Sequence, residues 1–170
     1  MAEPQEVGEH LLSCFDAVYL GLGENAPKLS TDAYVVRVHE MSRSFGEIAL
    51  DLRVYIGPGE VAPLAVIGDV LDQACGKDPS GAMTLFAMAL VVGPRLLVSL
   101  RDARENLGPD CELTTICERA AQVTVQQLLQ IANATQHRED IDDPGWQEGA
   151  RSLTKLVDSA GNAESFGISR

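Results

Sequence analysis

Residues 82–100, "AMTLFAMALVVGPRLLVSL", are apolar almost throughout and contain one charged residue, Arg95. The stretch just reaches the roughly 20 residues that a membrane-spanning helix needs. Insertion would be marginal, because a central arginine costs roughly 2.5 to 3.5 kcal/mol while each strongly apolar residue contributes about −0.5 kcal/mol. The stretch has one aromatic residue, Phe86, and therefore no aromatic belt at its ends. We predict the buried central helix of a soluble bundle, with no membrane as partner.

Apolar residues recur at helical spacing on both sides of this stretch, and no segment shows the alternation typical of a β-strand. The small residues Ser42, Gly46 and Ala49 lie beside the longest apolar series, which is given below, and predict that another helix packs closely there. We therefore expect an all-α, single-domain bundle of five to seven helices at residues 1–161, followed by a flexible C-terminal tail at 162–170. The longest apolar series, with alternating spacings of four and three residues, consists of Tyr34, Val38, Met41, Phe45, Ile48, Leu52 and Tyr55.

Gly93 and Pro94 interrupt the apolar stretch. Proline has no backbone N–H and its ring clashes with the preceding turn, so Pro94 either kinks the central helix or begins a new one. Arg95 would then lie beside carbonyl groups that have lost their donor. Two alternatives follow for Arg95. It is tied to those carbonyls or to an acidic residue of a neighbouring helix, or it contacts a ligand inside the bundle.

The net charge of −12 and the isoelectric point near 4.5 argue against nucleic acid as a partner, because an anionic surface repels phosphates. The N-terminus begins acidic and shows no secretory signal, so we expect a cytoplasmic protein. Its cysteines are then expected to be reduced, and none forms a CxxC pair. The four cysteines are Cys14, Cys75, Cys111 and Cys117.

No motif of catalysis or cofactor binding is complete in this sequence. The segment "HEMSR" at residues 39–43 resembles the zinc-protease pattern HExxH, but Arg43 occupies the second ligand position. His10 and Cys14 share a helix face and are the only weak candidates for metal ligands, and two ligands do not complete a site. We predict no cofactor and no metal, and we favour a protein that is not an enzyme.

Two functions fit these observations. The favoured one is protein–protein association, as a homodimer or regulatory adaptor, through an apolar helix face at segments 34–56, 82–100 or 113–132. The alternative is a sensor or carrier of a small apolar or anionic ligand, with a pocket between the central helices. The residues predicted to line that pocket are Arg95, Phe86, Leu90 and the uncharged amide face formed by Gln122, Gln126 and Gln130.

Overall fold

The structure is a computed structural model that describes residues 3–135 and 144–159. Within these residues the chain forms six helices and no β-strand, which confirms the predicted all-α bundle. The predicted tail at 162–170 and the domain boundary at 161 lie outside the described residues. The helices are α1 (Pro4–Asn25), α2 (Asp32–Ile56), α3 (Ala65–Lys77), α4 (Ala82–Asn106), α5 (Glu112–Thr135) and α6 (Pro144–Ser159).

Small residues allow α1 and α2 to approach closely. A Cβ atom at Gly46 would lie 2.7 Å from the ring of Tyr19, which packs directly on the α2 backbone. The Ser42 hydroxyl donates a hydrogen bond of 2.9 Å to the carbonyl oxygen of Tyr19. Ala49, the third member of the stripe, is also buried. The predicted close packing on this side of α2 is therefore confirmed.

Helix α4 is the centre of the described bundle, because it contacts each of the other five helices. By length and composition alone it could cross a membrane, but 67% of its most apolar window is buried inside the protein. The predicted buried central helix is thus confirmed. The apolar residues of α4 that are buried are Ala82, Met83, Leu85, Ala87, Met88, Val91, Val92, Leu96, Leu100 and Ala103.

Pro94 does not begin a separate helix, since α4 continues through it. Residues Ala87–Val92 form a π-helical turn, and the N–H of Gly93 donates to the Met88 carbonyl five residues earlier. The α-helical pattern resumes at Gly93, so Pro94 lies in the first turn of the resumed segment. In a first turn the missing N–H costs little, because that group would lack a regular α-helical acceptor in any case. A wider turn inside a continuous helix thus accommodates the proline.

Gly93 is required by close packing around this wider turn. A Cβ atom there would lie 2.6 Å from the Met88 carbonyl oxygen and 2.6 Å from a methyl group of Leu128 in α5. The first of these neighbours is backbone and cannot rotate away. Gly93 therefore sets how closely α5 approaches the central helix.

One acidic side chain fixes the start of α4 and the position of α6. The Asp78 carboxylate accepts hydrogen bonds from the backbone N–H groups of Ser80 (3.0 Å) and Met83 (3.2 Å). It also accepts one from the indole N–H of Trp146 at 3.3 Å. The Trp146 ring meets Phe86 edge-on, with centroids 4.9 Å apart. Helix α6 is thereby held against the first turns of α4.

We predict that Gly93→Ala lowers the free energy of unfolding by about 1 to 3 kcal/mol, because the added methyl group overpacks the contact between α4 and α5. Urea denaturation followed by circular dichroism, at one fixed protein concentration, measures the change. Gly68→Ala in α3 is the matched control, since its Cβ would meet no atom within 4 Å. The control should be neutral or stabilise by about 0.5 to 1 kcal/mol. Equal effects of the two substitutions would contradict the packing argument.

Candidate interaction surface

Arg95 is buried, with 8% of its surface exposed, and is tied off within the bundle. Its guanidinium donates to the carbonyl oxygen of Val91, one turn earlier in α4, at 2.9 Å. A second N–H group donates to the Asp158 carboxylate of α6 at 2.5 Å. Arg95 is thus held by a carbonyl of its own helix and by an acid of a neighbouring helix, while its buried Nε has no hydrogen-bond partner among the described residues.

The remaining residues of the predicted ligand pocket have different surroundings. Phe86 packs against Trp146, whereas Leu90 on the same helix is 62% exposed. The structure does not bring these residues together around one buried site with Arg95, and their role in ligand binding stays a prediction. The three glutamines that were predicted to help line this pocket are exposed on α5: Gln122, Gln126 and Gln130.

We predict that Asp158→Ala lowers the free energy of unfolding by about 1 to 3 kcal/mol, because it leaves the buried Arg95 guanidinium with one partner fewer. The double variant Arg95→Met/Asp158→Ala should recover most of this loss, since no unpaired charge remains in the apolar interior. Chemical denaturation of the two variants and the wild type measures both effects. If the double variant is less stable than Asp158→Ala, the Arg95 guanidinium stabilises the fold through contacts other than its ion pair with Asp158.

His10 and Cys14 do meet as the sequence predicts, with 3.8 Å between the imidazole Nε2 and the thiol sulfur. Burial raises the pKa of Cys14 to about 12 and lowers the pKa of His10 from its ordinary 6.5. With this pKa the metal-free thiol is protonated at neutral pH. Among the described residues there is no group of three or more histidine, cysteine or acidic side chains that could hold a metal ion.

The four cysteines are free thiols in different environments. Cys14, Cys75 and Cys117 are buried, and burial also raises the pKa of Cys117 to about 12. Cys111 is half-buried, with its sulfur 3.9 Å from the Tyr55 hydroxyl. Accessibility therefore distinguishes Cys111 from the other three.

At pH 8 we predict that iodoacetamide modifies Cys111 well before Cys14 and Cys117, because the reactive species is an accessible thiolate. Peptide mass spectrometry after timed labelling measures the order, and labelling in urea provides the control in which all four should react. Early labelling of Cys14 in the native protein would contradict its burial.

The raised pKa values of Cys14 and Cys117 predict that the free energy of unfolding falls above pH 9. The unfolded thiols release protons there, while the native thiols of Cys14 and Cys117 retain theirs.

Helix α2 has more exposed large apolar side chains than any other helix among the described residues. Val36, Leu50 and Val54 are 58%, 60% and 76% exposed. Between them lie three charged side chains, and all six fall within about 80° of the helix circumference, because each residue advances about 100°. We define the outer face of α2 by these six residues: Val36, Glu40, Arg43, Glu47, Leu50 and Val54.

The charged side chains of this face are paired along the helix. Arg43 lies 3.6 Å from Glu47, one turn further on, and their side chains are 84% and 57% exposed. Glu40 lies 3.0 Å from Arg37 at the edge of the face. With its neighbour Arg37 included, the face carries two positive and two negative charges on a protein whose net charge is −12. The face is therefore close to neutral where the rest of the surface is anionic.

Neighbouring helices flank the outer face without covering it. On one side, α1 packs on Ser42 and Gly46 and leaves an open groove of about 630 Å³, which Tyr19 and Leu50 help to line. On the other side, α5 is tied to α2 by an ion pair of 2.5 Å between Arg119 and Asp51. Helix α2 is thus held by neighbours at both flanks, and its outer face lies between them.

The sequence pattern predicted an apolar face in segment 34–56 but did not identify Val36, Leu50 and Val54. The prediction rested on the apolar stripe of this helix that is buried in the core. The signal that could have found them is a second stripe on the same helix with alternating spacings of four and three. Val36, Arg43 and Leu50 are seven residues apart, as are Glu40, Glu47 and Val54. Because three of its six members are charged, this stripe does not stand out as an apolar pattern.

Comparison with known proteins adds no relationship. No protein-family model matches the chain, and neither a curated protein nor a solved structure matches it significantly.

Proposed function

We propose that this protein acts without catalysis, by protein–protein association, as a homodimer that forms through the outer face of α2. The observation that carries the proposal is the exposure of Val36, Leu50 and Val54 on one straight stripe. Aliphatic side chains that are more than half exposed and aligned in this way gain free energy when a partner removes them from water. Full burial of such a side chain is worth roughly 1.5 to 3 kcal/mol.

Charge supports a second copy of the chain as the partner. Two molecules that each carry a net charge of −12 repel one another over most of their surfaces. At the outer face of α2 this repulsion is reduced, because Arg37 and Arg43 balance Glu40 and Glu47. The backbone of the face is helical before it docks, so little backbone entropy is lost.

The alternatives from the sequence have less support. Of the other two segments predicted to offer an apolar face, 82–100 exposes only Leu90 among its large apolar residues, because α4 is enclosed by its neighbours. Segment 113–132 exposes Val125 and Leu129 on α5, and this smaller patch serves as a control surface. The guanidinium of Arg95, at which the small-molecule sensor was expected to bind its ligand, already donates hydrogen bonds to Val91 and Asp158.

We predict that the wild-type protein shows a concentration-dependent mass between monomer and dimer from about 1 µM to about 1 mM. Leu50→Lys should weaken this dimer at least about tenfold, because it places a charge where an apolar contact forms. Sedimentation equilibrium measures both dissociation constants.

Leu129→Lys is the matched control for Leu50→Lys, since the two leucines are 61% and 60% exposed on long helices and the charge change is the same. Thermal unfolding by circular dichroism checks that both variants are folded. A wild type that is monomeric at every concentration would overturn the proposal of self-association. Loss of the dimer in Leu129→Lys with retention in Leu50→Lys would move the contact to α5.

A further inference from the structure

We infer that the two α2 helices of the dimer run antiparallel, with the two-fold axis crossing the outer face at the level of Phe45. This inference rests on the proposed self-association and adds its direction and its register. It follows from the order of charges along the face and from the positions of the three apolar side chains. Phe45 itself is buried beneath the face and marks only the height of the axis.

An antiparallel pair centred at this level matches every member of the outer face with a member of its partner. Val36 of one copy meets Val54 of the other, and the two-fold axis repeats this apolar contact at the opposite end. Arg43 meets Glu47 of the second copy, again twice. In a two-fold interface each such contact occurs in both directions, so the dimer forms two ion pairs between its copies near the axis.

The remaining layer pairs Glu40 with Leu50 of the second copy. The Glu40 carboxylate lies 3.0 Å from Arg37 at the edge of the face, so its charge is neutralised beside the contact. The six residues alternate in spacing like the a and d positions of a coiled coil, in which antiparallel helices pack side by side about 8 to 10 Å apart. The two Val36–Val54 contacts thus lie on either side of the two Arg43–Glu47 ion pairs.

Other arrangements of the same two helices satisfy fewer contacts. A parallel pair in register places Arg43 opposite Arg43 and Glu47 opposite Glu47, and like charges in contact are repulsive. An antiparallel pair shifted by seven residues leaves either Val36 or both Leu50 and Val54 without a counterpart. Only the register centred at Phe45 buries all three apolar side chains and joins opposite charges.

The inference is tested with two charge-reversal variants, Arg43→Glu and Glu47→Arg. In either variant alone, the antiparallel dimer has two contacts between like charges, and its dissociation constant should rise at least about tenfold. In an equimolar mixture, the glutamate introduced at position 43 of the first variant would face the arginine introduced at position 47 of the second. The unchanged Glu47 of the first variant would face the unchanged Arg43 of the second.

The mixture should therefore form a heterodimer with a dissociation constant within about threefold of the wild type. Native mass spectrometry of variants labelled with different isotopes measures the heterodimer directly, and sedimentation equilibrium gives its affinity. Loss of the ion pair within each helix cannot produce this rescue, since both chains of the mixture still lack it.

Matched controls change the same charges away from α2. Arg151→Glu on α6 and Glu105→Arg on α4 alter exposed side chains that pair only along their own helices in the described contacts at Glu148 and Arg101. Both controls should dimerise like the wild type, alone and mixed. Their net charges equal those of the two test variants, so a general effect of net charge would change all four alike.

The outcomes separate this inference from the proposed function. A dimeric wild type, weakened single variants and a rescued mixture support both. Weakened variants without rescue overturn the antiparallel register and leave association through the outer face of α2 intact. Single variants that dimerise normally overturn the antiparallel register. A mixture that then dimerises more tightly than the wild type indicates a parallel pair through the same face, whereas a mixture that is also unchanged overturns the face. A monomeric wild type overturns the proposed function itself.

Discussion

A helix that is apolar around most of its circumference has to be surrounded, and α4 imposes this requirement on the bundle. Its burial is favourable by the hydrophobic effect, but it brings a proline and an arginine into the interior. The π-helical turn at Ala87–Val92 accommodates the proline, and the Val91 carbonyl and the Asp158 carboxylate each accept a hydrogen bond from the arginine. Helix α6 therefore supplies the carboxylate that pairs with the buried arginine of α4.

The same requirement explains why the neighbouring helices lie where they do. Helix α5 can approach α4 closely because Gly93 has no side chain to meet Leu128. Helices α1 and α2 approach each other closely through Gly46 and Ser42. Once α1 and α5 hold the flanks of α2, the stripe opposite its core side has no helix left among the described residues to cover it. The exposed outer face of α2 is a consequence of how the core is enclosed.

Much of the fold could be predicted from local patterns. The core side of α2 was predicted from spacing alone, and Val38, Met41 and Phe45 are fully buried. The outer face was missed because charged residues interleave with its apolar ones, and a pattern search for core residues discards such a stripe. For Pro94, spacing could not choose among its possible effects, since the answer depends on a register change that packing stabilises.

The sequence by itself determined the helices and the central position of the apolar stretch, because each depends on the pattern within one segment. Only the tertiary structure decided that Arg95 pairs with Asp158, 63 residues away, and that Val36, Leu50 and Val54 remain exposed. Both depend on which helices pack against one another. That packing depends on contacts between many side chains that are far apart in the sequence, and a local sequence pattern does not include those contacts.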